Sequence, residues 1–155
     1  MSNVIVSGGF DPIHVGHVRM FNEAKNLANP LGGELIVIVN NDKFLKDKKG
    51  YVFMPFEEVI ANLKSVDRVV PSIDNDHTVC LTLQELCQDL SNKISVFANG
   101  GDRKGREDIP EADVCQQYGV GLIFNIGGEK IQSSSDLVND FWEERYEQLS
   151  GKKLP

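Results

Sequence analysis

The stretch NVIVSGGFDPIHVGHVRMFNEAKNLA, Asn3–Ala28, decides the fold class. It opens with NVIVS, a nearly continuous apolar run of the kind that strands covered on both faces carry. It closes with HVGHVRMFNEAKNLA, where Val15, Val18, Phe21, Ala24 and Leu27 recur close to a 3.6-residue period. Between the two lies a glycine-rich turn. Strand, turn and helix in that order open a βαβ unit. Gly8 and Gly9 let the backbone turn tightly and approach a ligand closely. The helix start aims free N–H groups and a positive dipole end at the same point, which suits an anion. His14 and His17 share one face of that start, and their ring nitrogens can donate to phosphate oxygens. Gly16 keeps the face open to a bulky ligand. The spacing matches neither a Walker loop nor GxGxxG. A glycine turn with two capping histidines is the bland alternative.

The same alternation continues along the chain. Residues 34–40, 67–73, 94–100 and 121–126 read as further strands, and helices are expected over 14–28, 55–66, 78–90, 110–119 and 133–149. This pattern predicts an α/β fold: Rossmann-like, doubly wound, with a five-stranded, mostly parallel sheet in a single domain. The domain is expected over 1–149, with 150–155 a disordered tail. In such sheets ligands bind beyond the carboxyl ends of the strands.

Composition narrows the function. A chain of 155 residues can bury a real core without staples. The formal charge of −7 disfavours general nucleic-acid binding. No apolar run reaches the length of a membrane helix, and the opening MSNVIVSGGF lacks the features of a secretion signal. Cys80, Cys87 and Cys115 are odd in number and lack CxxC spacing, which argues against a disulfide framework or zinc site. They are expected in the core of a protein from a reducing cytoplasm.

Three further clusters fall at strand carboxyl ends. Asn40, Asn41 and Asp42 follow the second strand, ahead of a lysine-rich run with Lys46, Lys48 and Lys49. Gly101, Asp102 and Arg103 follow the fourth; Asp102 could accept a hydrogen bond from a base or ribose, and Arg103 could bind a phosphate bidentately. Ser133, Ser134 and Ser135 start the last helix. Their hydroxyls and the helix N–H groups suit a phosphate, although Ser133 with Asp136 also suits a capping box.

The phrase built from Gly8, Phe10, Asp11, His14, Gly16 and His17 resembles the HxGH signature of the nucleotidylyltransferase superfamily, especially its cytidylyltransferase-like branch. The GGD turn at Gly100–Asp102 is similar to that of heptose-phosphate nucleotidylyltransferases, and the serine run resembles the family's ISSS or ISTT motif. The resemblance implies transfer of a nucleoside monophosphate, CMP favoured, from a nucleoside triphosphate to a small phosphorylated sugar or polyol, with release of pyrophosphate. Mg²⁺ would arrive with the nucleotide, and no protein metal site is expected. His14, His17 and Lys46 would be catalytic. Gly8, Gly9, Phe10, Asp11, Gly16, Gly101, Asp102, Arg103 and Ser133–Ser135 would bind the nucleotide, with Asn40, Asp42 and Lys48 toward the acceptor. ATP in place of CTP, a non-catalytic nucleotide sensor and an ordinary flavodoxin-like binding domain stay as alternatives. Neither nucleic acid nor membrane is an expected partner. Small enzymes of this kind are often homodimers, and Phe141 and Trp142 on the last helix suit core or interface, with core the expectation.

The chain departs from the family at three arginines. Val138, Gly128 and Val59 stand where relatives carry a guanidinium, and Lys130 near Gly128 is not its equal. Arg103, Arg106 or a partner subunit are the candidates to fill the gap.

Overall fold

The computed structural model describes residues 2–10, 12–40, 60–101, 103, 105–128 and 133–152. Five strands form one sheet: β1 (Asn3–Gly8), β2 (Leu35–Val39), β3 (Arg68–Pro71), β4 (Ile94–Gly100) and β5 (Gly121–Ile126). All four pairings are parallel, and the order is β3-β2-β1-β4-β5. The chain thus winds outward from β1 to one edge, then crosses back to β4 and the other edge. The crevice between the carboxyl ends of β1 and β4 is the switch point where such sheets bind ligands.

Side chains alternate across the sheet, so each central strand feeds two cores. Val4, Val6, Leu35, Val37 and Val39 pack on one face with Met20, Phe21, Ala24 and Ala28 of helix α1 (Val15–Ala28) and with Ile60. Ile5, Ile36, Ile38 and Phe97 pack on the other with Leu83 of α2 (Cys80–Gln88) and Cys115 of α3 (Ala112–Tyr118). Burying Phe21 fully is worth about 2–3 kcal/mol. A break in register between Ala98 and Gly100 lets β4 bulge toward β5. The buried Asn99 amide fills it, donating to the carbonyls of Phe97 at 3.3 Å and Ile123 at 3.5 Å.

The last helix, α4 (Ser134–Ser150), runs one residue past the expected boundary and ends on a left-handed Gly151 cap. None of its described side chains is buried. Phe141 and Trp142 are 63% and 61% exposed, which corrects the expectation that they join the core. The physical reason is occupancy: α1 and Ile60 cover one sheet face, and α2 with α3 cover the other. Val15 is corrected in the same way. It is 48% exposed because Met20, Phe21, Ala24 and Ala28, not Val15, form the inward stripe of α1. The three cysteines are unpaired; Cys115 is buried, whereas Cys80 and Cys87 are only half-buried. Of the helix expected over 55–66, residues 55–59 lie outside the described residues; Ile60 and Ala61 are helical, and turn and bend follow at 62–65, so the helix ends sooner than expected. No helix among those described is long and apolar enough to cross a membrane.

Candidate active site

The carboxyl end of β1 delivers the chain into the first turn of α1. His14 is the N-cap, extended at φ −143°, ψ 177°. Its Nδ1 accepts from the Gly16 N–H at 3.1 Å, and the His17 Nδ1 accepts from the His14 N–H at 3.2 Å. The two histidines therefore form a reciprocal capping box, the arrangement usually built from Ser or Thr and Glu. This bonding fixes more than the helix start. An imidazole nitrogen that accepts a hydrogen bond carries no proton, so in each neutral ring the proton sits on Nε2. Both rings are thereby assigned the tautomer that offers an Nε2–H donor. They stack with centroids 3.7 Å apart and planes 21° apart. Capping uses the Nδ1 atom of each ring.

Phe10 lies beneath them. Its backbone is left-handed, at φ +53°, and its ring is 4% exposed. The ring meets His17 at 5.0 Å and 89°, and Phe21 at 5.0 Å and 67°. Gly8 makes this possible, because a Cβ there would stand 2.9 Å from two Phe10 ring carbons. The expectation that Phe10 binds nucleotide therefore does not extend to its buried ring.

Other expected residues converge on this turn. The Asn40 N–H donates to the Gly8 carbonyl at 3.0 Å, extending the β1–β2 ladder to the rim. Gly101 and Arg103 leave β4, the neighbour of β1, through a turn closed by the Arg103 N–H on the Gly100 carbonyl. Arg103 Nη1 is bound to the Asp108 carbonyl at 2.6 Å, within its own loop. From the far side, the Ser134 hydroxyl donates to the Pro12 carbonyl at 2.6 Å, which docks the start of α4 on the histidine turn. Ser133 caps α4, accepting from the Asp136 N–H at 3.5 Å. Two of the three serines thus have local structural work. Asp11, Asp42, Lys46, Lys48 and Asp102, and the side chain of Ser135, lie outside the described residues.

One contributor was not legible in the sequence. Glu23 Oε2 accepts from the Gly127 N–H at 2.7 Å, tying the exit of β5 to the middle of α1. Gly127 sits at φ +81°, so close that a Cβ would lie 3.1 Å from the Met20 backbone. The glycines of "NIGGEK" were the available signal; a helical glutamate gave none. Among the described residues no three His, Cys, Asp or Glu side chains gather to hold a metal.

The cytidylyltransferase-like family profile matches residues 5–153. The chain belongs to the cytidylyltransferase-like family. FAD synthase of Archaeoglobus profundus is 37% identical over 93 residues, covering 58% of this chain and 56% of that protein. Glycerol-3-phosphate cytidylyltransferase of Bacillus subtilis is 28% identical over 135 residues, covering 85% of this chain and 95% of that protein. A lipopolysaccharide core biosynthesis protein of Thermoplasma volcanium shares the fold, with a TM-score of 0.60 at 24% identity over 81% of this chain and 96% of that one.

Within this family the absent arginines acquire a structural setting. Gly128 is at φ +80°, a backbone that side-chain-bearing residues rarely adopt, and Val138 is half-buried in α4. Val59 lies outside the described residues. Arg106 is engaged elsewhere in this structure. Its Nη2 is engaged by Gln116 Oε1 at 2.7 Å and Asp113 Oδ1 at 3.4 Å, so it braces α3.

Proposed function

We propose that the chain is a nucleotidylyltransferase that moves a CMP group from CTP to a small phosphorylated polyol or sugar. An acceptor phosphate oxygen attacks the α-phosphorus in line. The bond from that phosphorus to the β-bridging oxygen breaks, and pyrophosphate leaves. Little of this chemistry needs a protein base; it needs reactants held in line and donors aimed at the growing charge. The observation that carries the reading is the stacked histidine box at the switch point, with both Nδ1 atoms accepting from backbone N–H groups, so that the proton of each neutral ring lies on Nε2. Gly8 and Gly16 leave room for the Phe10 ring and the His14 imidazole, and with Gly9 they would let a nucleotide approach the backbone. Lys46 and Lys48 would neutralise phosphates from the loop after β2, with Asn40 and Asp42 toward the acceptor. Gly101, Asp102 and Arg103 would line the nucleotide, and Ser135 with the α4 N–H groups would face its outer phosphates. Mg²⁺ carried by the triphosphate would screen its charge.

The likeness to glycerol-3-phosphate cytidylyltransferase, which spans nearly the whole of that protein, supports CTP and a polyol phosphate. A second reading rests on the FAD synthase likeness: adenylyl transfer from ATP to a flavin phosphate. The test measures pyrophosphate release with CTP or ATP, each with Mg²⁺, against glycerol 3-phosphate, sugar phosphates and flavin mononucleotide. Turnover with CTP and a polyol or sugar phosphate is expected. Turnover only with ATP replaces the first reading by the second. Nucleotide binding without pyrophosphate release from any pair turns the chain into a sensor.

A further inference from the structure

Phe10 combines two costs. Holding a bulky aromatic in the left-handed region, at φ +53°, strains the backbone. Its partner position must also be glycine, since a Cβ on Gly8 would strike the Phe10 ring at 2.9 Å. If the ring only filled the core, an ordinary backbone and an aliphatic side chain would serve as well. The turn instead folds the ring back until it stands perpendicular to His17, braced from behind by Phe21. His17 is then confined by three contacts of different kinds: Phe10 at 89° to its plane, His14 stacked on it, and the His14 N–H on its Nδ1. Rotation of the imidazole about its own bonds would break at least one of them.

We propose that Phe10 is a positioning residue for the transfer reaction, acting through His17. Its perpendicular ring holds the plane of the His17 imidazole, which keeps Nδ1 on the His14 N–H and so maintains the tautomer, and the stack passes that constraint to His14. Gly8 is the companion that makes room. The catalytic part of this assignment rests on the function proposed above; the positioning part rests on the geometry alone.

The experiment separates the two. Long-range proton–nitrogen spectra of the ligand-free protein report which ring nitrogen of each histidine is protonated. In the wild type both rings give the Nε2–H pattern. In Phe10→Leu, which keeps an apolar side chain but removes the flat ring, the His17 nitrogens shift toward averaged values as both tautomers populate. With the nucleotide and acceptor that the wild type turns over, kcat falls roughly 10- to 100-fold, while KM for the nucleotide stays within about twofold. Phe21→Leu, which removes the brace and leaves the turn intact, gives the same spectral change at smaller size if Phe10→Leu fails to fold. An unchanged His17 tautomer in the folded variants overturns the proposal. So does a fall confined to thermal stability, with kcat unaltered. A shifted tautomer in a protein whose wild type turns over no tested pair upholds the positioning and sinks the transferase reading instead.

Discussion

The N-termini of α1 and α2 both face the rim formed by the strand carboxyl ends, yet they are finished in opposite ways. At α1 the Gly16 and His14 N–H groups are met by imidazoles, which accept through Nδ1. At α2, Val79 gives no side-chain cap, and two buried carboxylates do the work from elsewhere. Asp74 accepts from the N–H groups of Leu81 at 2.8 Å and Thr82 at 3.0 Å, and from the Thr82 hydroxyl at 2.6 Å. Glu111, arriving from just before α3, accepts from the Val79 N–H at 2.9 Å. Their residues are 1% and 5% exposed. A helix start satisfied by carboxylates has already used its dipole on negative charge and would repel a phosphate. One satisfied by imidazole nitrogens brings no such carboxylate to the dipole. The difference would separate a structural helix start from the binding one proposed for α1, although both look alike as helix N-termini after parallel strands.

The sharpest way to break the comparison is at His17. His17→Ala removes one donor from the site, and turnover is expected to fall on the order of 10²–10³-fold. The same change removes one half of the capping box, at a cost of about 1 kcal/mol, so the fold persists. Activity within tenfold of wild type would show that α1 is capped like any other helix. Asp74→Ala is the opposite experiment. It removes the acceptor of the Leu81 and Thr82 N–H groups at the start of α2, a loss of about 3 kcal/mol. For a chain of this length that lowers Tm by roughly 6–12 °C. Turnover at temperatures where the variant is folded should be unchanged, and a catalytic defect there would place α2 in the site.

Alkaline titration probes the sealed side. Burial pushes the Cys115 thiol up to about 12 from an ordinary 9.0. The folded protein therefore holds this proton more tightly than the unfolded chain. The contribution is complete below about pH 9 and is lost as pH rises toward 12, at up to about 1.4 kcal/mol per pH unit. Burial raises Cys80 and Cys87 in the same direction. Urea midpoints measured from pH 8 to 10.5 should fall more steeply in the wild type than in Cys115→Ala; equal slopes would mean the thiol is more accessible than its packing implies. The smallest effect is expected at α4. Ser133→Ala removes a cap whose bond is long, so the urea midpoint should move by only about 0.5 kcal/mol. A loss of nucleotide affinity beyond that would make Ser133 a ligand as well as a cap.

Much of this was legible beforehand because parallel strands announce themselves. NVIVS and ELIVIVN are apolar at successive positions, and the structure has Val4, Ile5 and Val6 buried on alternating faces. The histidine turn was equally plain, since its residues are contiguous. The partners of Arg106 were not legible, because Asp113 and Gln116 come to it only when α3 folds back. Phe141 and Trp142 were misread as core because periodicity reports an apolar face but not whether a surface is left for it to cover.

The sequence alone determined the strand–helix alternation, the parallel sheet and the place of the histidine turn after the first strand. These follow from local propensity, short-range period and the rule that ligands meet strand carboxyl ends. Tertiary structure alone decided which nitrogen of each histidine accepts from the backbone, that Phe10 lies against His17, and that Asp74 and Glu111 close α2. Those outcomes depend on distances between groups two to more than thirty residues apart, and on a left-handed backbone that no periodicity encodes. Hydrogen-bond direction and ring orientation exist only once the chain has closed on itself.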